Sequence, residues 1–209
     1  MHRSARLISA LALAALVAVA PAAADVWQID PAHSAAQFSV THMMISTVRG
    51  EFGKTSGTIE YDGKDVASIK VDATIDAATI NTRIEDRDND LKSDHFFDVA
   101  KYPTLTFKSK KVVPGTGGAF QLVGDLTIHG VTKEVTLDAT GPTKVIKGMR
   151  GESRIGASAT TKINRQDFGI KWSANLDGGG VVVSDAVAIA IDIEATMPPP
   201  AAAAAPPKK

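Results

Sequence analysis

The chain has 209 residues, and its 23 Lys and Arg are balanced by 23 Asp and Glu. This balance, without a polybasic stripe, excludes the charge pattern of a nucleic-acid-binding protein. The absence of Cys excludes disulfides, thiolate metal sites and Cys nucleophiles, so a single domain of this length must be stabilised by packing alone.

The first 24 residues have the pattern of a secretory signal peptide. Arg3 and Arg6 precede the apolar run LISALALAALVAVA, and the small residues up to Ala24 offer a cleavage site. This arrangement predicts export and cleavage after Ala24, and the run is short for a membrane anchor. Together with the lack of Cys, it favours the periplasm of a Gram-negative bacterium. We therefore predict a mature domain over residues 25–196 and a disordered Ala/Pro-rich tail over residues 197–209.

Alternation of apolar and polar residues dominates the rest of the sequence. Near the start, Phe38, Val40 and His42 share one face, and polar residues lie between them. One apolar and one polar face per strand are typical of antiparallel sheets with water on one side. The pattern predicts eight strands, at residues 34–42, 55–61, 68–76, 104–112, 119–128, 131–139, 153–163 and 187–194.

The highly charged segment 81–103 breaks this alternation and predicts one short helix within residues 81–100. Thr82 followed by Glu85 resembles a capping box at its start. The second interruption, residues 164–180, predicts a long loop. The residues expected to share one face of the helix are Ile84, Leu91 and His95.

The segment DLTIHGVTKEVTLDA is typical of a β-hairpin. A two-residue turn at His129-Gly130 would place Ile128 opposite Val131, with both side chains on one face. Lys133 would then share that apolar face. Either its ammonium reaches water at an open end of the sheet, or the turn is longer and the register shifts. The sequence leaves both possibilities open.

Eight such strands form either a closed barrel or a two-sheet sandwich. In a sandwich the apolar faces fill one another, whereas an eight-stranded barrel has room for one small ligand. Several inward positions carry small residues, which either leave such room or fit the taper of a packed barrel. They are Ala36, Ala73, Gly124, Ala139, Ala157 and Ala159.

Four sequence blocks carry a resemblance to a known family. The blocks are WQIDPAHSAAQFSVTHMMISTVRGEFGKTSGTIEYD, RDNDLKSDHFFDVAKYPTLTF, GDLTIHGVTKEVTL and INRQDFGIKW. Each block alone is a weak indication of the family, but the four blocks together, in the order and spacing of the family, are a specific one. Over roughly residues 26–195 the chain resembles the YceI-like polyisoprenoid-binding proteins.

The resemblance implies an all-β fold, an eight-stranded antiparallel lipocalin-like β-barrel whose apolar tunnel holds a long-chain isoprenoid lipid. It implies no catalytic residue, metal or cofactor, and it leaves prenyl phosphates, quinone tails and fatty-acid derivatives as compatible ligands. Homodimerisation is compatible with it, and no stable membrane insertion is expected after the signal peptide is removed. On this resemblance the tunnel residues are Phe38, Val40, His42, Ile69, Val71, Leu91, Phe97, Leu105, Phe107, Leu122, Leu126, Ile128, Val135, Leu137, Ile155, Phe168 and Trp172.

Three polar residues are candidates for binding the head group of such a lipid. His42 lies on the apolar face of its strand, where its ring can bond a polar group. Arg87 and Arg165 lie in non-strand segments, where a barrel rim is expected, and an Arg fork suits a phosphate. The alternative role for either Arg is a structural ion pair, for example with Asp88 or Asp167.

The remaining polar residues predict neither a metal site nor a catalytic triad. The His residues lack metal-ligand spacing such as HExxH, and no Cys supports them. Asp30, His33 and Ser34 lie on one extended segment, where adjacent side chains point to opposite faces.

Three functions are therefore compared. The first is a periplasmic carrier or storage protein for isoprenoid lipids. The second is an enzyme that acts on a lipid or quinone head group, with His42 as acid or base. The third is an interaction or stress-protection module whose barrel is filled by its own side chains. The family resemblance and the small inward residues favour the first.

Overall fold

A computed structural model describes residues 24–198. Residues 1–23 of the predicted signal peptide and most of the predicted tail lie outside the described residues. The described part forms one α-helix, α1 (Glu85–Lys92), and twelve strands. The strands are β1 (Asp25–Ile29), β2 (Ala35–His42), β3 (Ser46–Phe52), β4 (Thr55–Tyr61), β5 (Lys70–Asp76), β6 (Ile80–Asn81), β7 (Thr104–Pro114), β8 (Ala119–Ile128), β9 (Val131–Thr140), β10 (Ile146–Lys147), β11 (Ser153–Asn164) and β12 (Val183–Met197).

Eight of these strands form a closed antiparallel ring. Their order is β11, β9, β8, β7, β5, β4, β1 and β12, and β12 pairs again with β11. The closing ladder runs without interruption from Ser153 opposite Met197 to Asn164 opposite Ala186. A closed ring pairs its strands on both sides and encloses an interior. The predicted eight-stranded antiparallel barrel is confirmed.

The long strand β12 has two neighbours along its other edge. β1 pairs with it near Ala195, and β2 pairs with it between Val183 and Asp192. β3 continues the wall beyond β2, and β6 covers the end of β3 at Phe52. The β2–β3 hairpin therefore adds wall at the end of the barrel where β12 begins.

All eight predicted strands occur, but alternation did not reveal β1, β3, β6 or β10. In β3 the apolar face is interrupted by Gly50. A Cβ at Gly50 would lie 2.4 Å from Cζ of Phe38, so the Phe38 ring covers this position. The close approach requires glycine, and the same glycine weakens the alternation that would have indicated the strand.

The helix lies within the predicted segment but is capped differently. No side chain caps its start, so the predicted capping box between Thr82 and Glu85 is wrong. The backbone N–H of Thr82 instead donates to the carboxylate of Asp88 at 2.8 Å. Asp88 lies one turn further along the helix and thus ties α1 to the segment before it.

The face predicted for this helix is also wrong. Leu91 lines the barrel interior, whereas Ile84 is 53% exposed. His95 lies beyond the end of the helix at Lys92 and is exposed. The helix is too short to bring these three side chains onto one face. None of the described helices is long and apolar enough to cross a bilayer.

Two groups of buried apolar side chains stabilise the barrel. One contains Trp27, Phe120 and Ile155, and the other contains Phe96 and Phe168 beside α1. Burial of each such side chain contributes about 1.5–3 kcal/mol. Members of both groups line the same interior space, so the core forms the wall of a cavity.

The β8–β9 hairpin has the predicted two-residue turn. Ile128 lies opposite Val131, and His129 and Gly130 have φ angles of 52° and 73°. Positive φ at both central residues is the geometry of a type I′ turn, which is favoured in hairpins with a two-residue loop. Lys133 is exposed, so the first sequence-based alternative is correct and its ammonium reaches water.

We predict that Gly130→Ala strongly destabilises the protein. The new Cβ would lie 2.4 Å from the Tyr102 ring at a backbone φ of 73°. Left-handed strain costs about 1–2 kcal/mol and overpacking about 1–3 kcal/mol, so we expect a loss of about 2–4 kcal/mol in urea unfolding. Gly117→Ala is the control, because Gly117 has φ 65° but open space around it. Equal losses in the two variants would contradict a role for the Tyr102 contact.

Candidate functional site

A cavity of about 390 Å³ lies inside the barrel and is lined almost entirely by apolar side chains. They come from the inward faces of the ring strands, from β2 and from the segments around α1. Ligand-binding cavities typically have about 300–1,000 Å³ and a mostly apolar lining. The barrel is therefore not completely filled by its own side chains.

The structure brings together almost all the residues predicted to form the tunnel. Every one of them lines this cavity except Val135. Val135 is partly buried and packs against both core groups. It lies opposite Gly124, and a Cβ at Gly124 would lie 2.6 Å from the Phe107 ring. The Phe107 ring therefore lies close to Gly124, and Val135 is not among the residues that line the cavity.

The small inward residues have two different roles. Gly124 makes room for the Phe107 ring and does not line the cavity. The five alanines at inward positions do line it, and their short side chains leave space in the barrel centre. They are Ala36, Ala73, Ala139, Ala157 and Ala159.

Several residues that line the cavity were not predicted from the sequence. The largest set belongs to β12, where alternation of apolar residues was visible but not included among the tunnel positions. This set comprises Val187, Ile189, Ile191 and Ile193. Thr55 also lines the cavity, and no sequence pattern marks it, because a single Thr is ordinary in a strand.

Aromatic side chains concentrate at the end of the cavity near α1. The rings of Phe38 and Phe52 are 5.8 Å apart, and Phe52 meets the edge of Phe97 at 5.7 Å. Phe96 and Trp172 lie 5.4 Å apart. Such pairs contribute about 0.5–1.5 kcal/mol beyond their buried area. They fix the shape of this end of the cavity.

Arg165 is 5% exposed and is fully hydrogen-bonded to the protein. Burial lowers the pKa of its guanidinium, while neighbouring Asp185 raises it. Its N–H groups donate to the carbonyls of Ile170, Trp172, Val183 and Ser184 and to the carboxylate of Asp185. These contacts use all five donors of the side chain.

The contacts of Arg165 join the loop after β11 to the start of β12. They hold Phe168 and Trp172 in place at the cavity surface. Its ion-pair partner is Asp185 at 2.9 Å, not Asp167 as the sequence suggested. Although Arg165 borders the cavity, it has no free donor for a lipid head group.

Arg87 differs from Arg165 because part of its guanidinium is unused. Nε donates to the Thr82 hydroxyl at 2.7 Å and Nη2 to the Thr82 carbonyl at 2.8 Å. Nη1 has no hydrogen bond to the described residues, and none of their carboxylates lies within 4.0 Å of this guanidinium. The expected ion pair with Asp88 is therefore absent from the described part. Arg87 is partly exposed and borders the cavity.

His42 lies at the end of β2 and lines the cavity. Its ring has no hydrogen bond to any of the described residues. The ring nitrogens of His42 are therefore available to hydrogen-bond a molecule in the cavity.

Asp30, His33 and Glu194 bring potential metal-ligand atoms within 4.8 Å of one another. Arg154 forms ion pairs with both carboxylates in this cluster, and its positive charge opposes a cation. The hydrogen bond from His33 lowers the pKa of Asp30. The Ser34 hydroxyl donates to the Glu194 carbonyl and accepts from the Glu194 N–H. Ser34 therefore does not form a triad with Asp30 and His33.

We predict that Arg165→Met lowers the free energy of unfolding by about 2–4 kcal/mol, because it leaves buried carbonyls without donors. Urea unfolding measures this loss, and Trp172 fluorescence should shift towards that of an exposed indole. Lys162→Met is the control, since Lys162 is exposed near the end of β11. If the two variants unfold alike, Arg165 does not stabilise the loop.

Comparisons with known proteins agree with this architecture. A family model described as the YceI-like domain matches residues 27–195. UPF0312 protein SA2479 of Staphylococcus aureus strain N315 is 36% identical over 165 residues, which are 79% of this chain and 94% of the relative. The chain belongs to the YceI-like family.

Solved structures with the same architecture include proteins from three bacteria. The Campylobacter jejuni YCEI protein has a TM-score of 0.64 and 35% identity, over 76% of this chain and 90% of that one. Burkholderia cenocepacia BcnA has a TM-score of 0.68 and 24% identity, over 79% and 98%. A polyisoprenoid binding domain from Saccharophagus degradans has a TM-score of 0.60 and 19% identity, over 82% and 98%. The last two similarities show the fold alone.

Proposed function

We propose that this protein binds a polyisoprenoid or similar long-chain lipid in the barrel cavity and carries or stores it in the periplasm. The observation that supports the proposal most strongly is the apolar cavity within a closed ring of strands. The family is consistent with it, and one protein of the same fold is described as a polyisoprenoid binding domain. The chain binds its ligand without chemical conversion.

The physical basis is transfer of an apolar chain out of water. Each buried methylene group contributes about 0.8 kcal/mol, so a chain of many carbons is held without an ionic anchor. The five alanines provide the space, and the aliphatic residues of β12 provide contact along its length. Such a ligand exchanges slowly, because dissociation exposes the whole apolar chain to water.

Arg87 is the head-group residue in this proposal. Its unused Nη1 group lies in a side chain that borders the cavity and is partly exposed, so a charged group can bind there without full desolvation. Arg165 is excluded from this role by its complete set of hydrogen bonds. His42 provides a second polar contact for the head group.

The two other functions fit the geometry less well. An enzyme with His42 as acid or base would need a group that orients the imidazole, and the described residues offer none. An interaction module with a filled barrel would not need the cavity that the alanines leave open. A homodimer is compatible with the proposal.

We predict that Ala159→Phe weakens lipid binding by about tenfold in a folded barrel. The phenyl ring would occupy space for roughly two methylene groups of the ligand, at about 0.8 kcal/mol each. Ala188→Phe is the matched control, because Ala188 pairs with β11 near Ala159 but is exposed on the opposite face. The readout is displacement of a fluorescent lipid by farnesol. If both variants bind as the wild type does, the ligand does not occupy this cavity.

We predict that Arg87→Gln weakens binding of farnesyl phosphate by about threefold to tenfold and leaves binding of farnesol unchanged. Loss of a charge-assisted hydrogen bond gives an effect of this size, because solvent exposure weakens the interaction. The effect should shrink as salt is added, since salt screens the charges. Arg83→Gln is the control, because Arg83 is exposed and does not border the cavity. An equal effect of the two variants would remove Arg87 from the head-group site.

A further inference from the structure

The cavity wall contains one buried polar group that the protein does not satisfy. Thr55 is 2% exposed, and its hydroxyl oxygen is buried without a hydrogen-bond partner among the described residues. Thr55 lines the cavity. Buried hydroxyls in folded proteins normally have a partner, and each exception has a structural or functional cause.

The position of Thr55 in the barrel excludes a role as an ordinary surface residue. It begins β4 and shares the inward face of that strand with Ile59, which also lines the cavity. Its neighbour across the ladder is Ile75, and Ile75 lies opposite Leu105. Thr55 is therefore a single hydroxyl in a row of aliphatic side chains, where a valine of the same shape would pack without cost.

Of the other hydroxyls that border the cavity, one belongs to Thr106, which is only partly buried, and the other two are hydrogen-bonded. Ser158 donates to the carboxylate of Asp192 at 2.7 Å. Thr161 donates to the carbonyl of Thr136 at 2.8 Å. The second buried unsatisfied group in the described part, the indole N–H of Trp27, does not border the cavity. Among the described residues, Thr55 alone combines a buried hydroxyl that has no hydrogen-bond partner with a place in the cavity wall.

We propose that Thr55 recognises a neutral oxygen acceptor, such as a carbonyl, on the body of the bound lipid inside the barrel. The inference rests on the proposed lipid-binding function and adds a chemical requirement to it. Rotation about the single side-chain torsion of Thr55 moves its hydroxyl between staggered positions, so the donor can turn to a ligand. The ligand class is a long apolar chain that carries a ketone, quinone, ester or amide group.

Two physical arguments favour a neutral carbonyl at this position. A water molecule in a cavity needs about two to four polar partners, and the aliphatic row around Thr55 offers too few. A carbonyl on an apolar chain is satisfied by one hydrogen bond, and its chain contributes the burial energy. A phosphate is excluded here, because one hydroxyl does not compensate for burying a charge.

The test compares two ligands and three proteins. The ligands are farnesylacetone, an isoprenoid ketone, and the matched hydrocarbon in which a methylene group replaces the carbonyl. The proteins are the wild type, Thr55→Val, which keeps the shape and removes the donor, and Thr55→Ser, which keeps the donor. Affinities are measured by displacement of a fluorescent lipid, and thermal unfolding without ligand confirms that each variant folds.

Thr55→Val should weaken binding of the ketone roughly fivefold to tenfold, the loss expected for one hydrogen bond, and leave the hydrocarbon unchanged. Thr55→Ser should bind the ketone more tightly than Thr55→Val does. The ligand-free Val variant should melt no lower than the wild type, because it loses an unsatisfied hydroxyl. If the Val variant does not fold, Thr55→Ala removes the same donor and takes its place.

Equal affinities of the wild type and the Val variant for the ketone would overturn the inference and assign the hydroxyl to bound water. An equal loss for both ligands would also overturn it, because a packing defect would then explain the result. If the wild type binds neither ligand, the proposed lipid-binding function itself fails. The three outcomes are distinct in the same titrations.

Discussion

The long ladder between β11 and β12 makes the barrel possible. It closes the ring of eight strands, and closure is what turns alternating faces into an inside and an outside. Without it, the apolar faces of β8 and β12 would be open to water or would collapse on each other as in a sandwich. The same strand β12 also supports β2 along its other edge, so its two ladders set both the ring and the added wall near α1.

Within that closed ring, side-chain volume decides whether the interior is core or cavity. Large residues such as Trp27 and Phe168 are almost completely buried and stabilise the two ends. Alanine at inward positions leaves the space between them. Glycine acts differently, because Gly50 and Gly124 accommodate the rings of Phe38 and Phe107. The loop clamped by Arg165 completes this arrangement by fixing aromatic side chains at the surface of the cavity.

The sequence predicted the features that follow from repeated local patterns. The eight strands that alternation predicted all occur, although β1 of the ring was not among them. The His129-Gly130 pair indicated the hairpin turn and its register. Features that depend on single long-range contacts were not predictable. The partner of Arg165 is Asp185, twenty residues away in the chain, and the ring that Gly124 accommodates belongs to Phe107 on another strand. Thr55 was missed for the same reason, because an unsatisfied hydroxyl becomes visible only when its surroundings are known.

Mass spectrometry shows whether the barrel cavity holds a long-chain lipid. The protein is purified without detergent, and its organic extract is analysed beside that of the Ala159→Phe variant. The account predicts about one equivalent of a long-chain lipid from the wild type and markedly less from the variant. An extract without lipid, from a protein that also takes up no added prenyl lipid, would contradict the account.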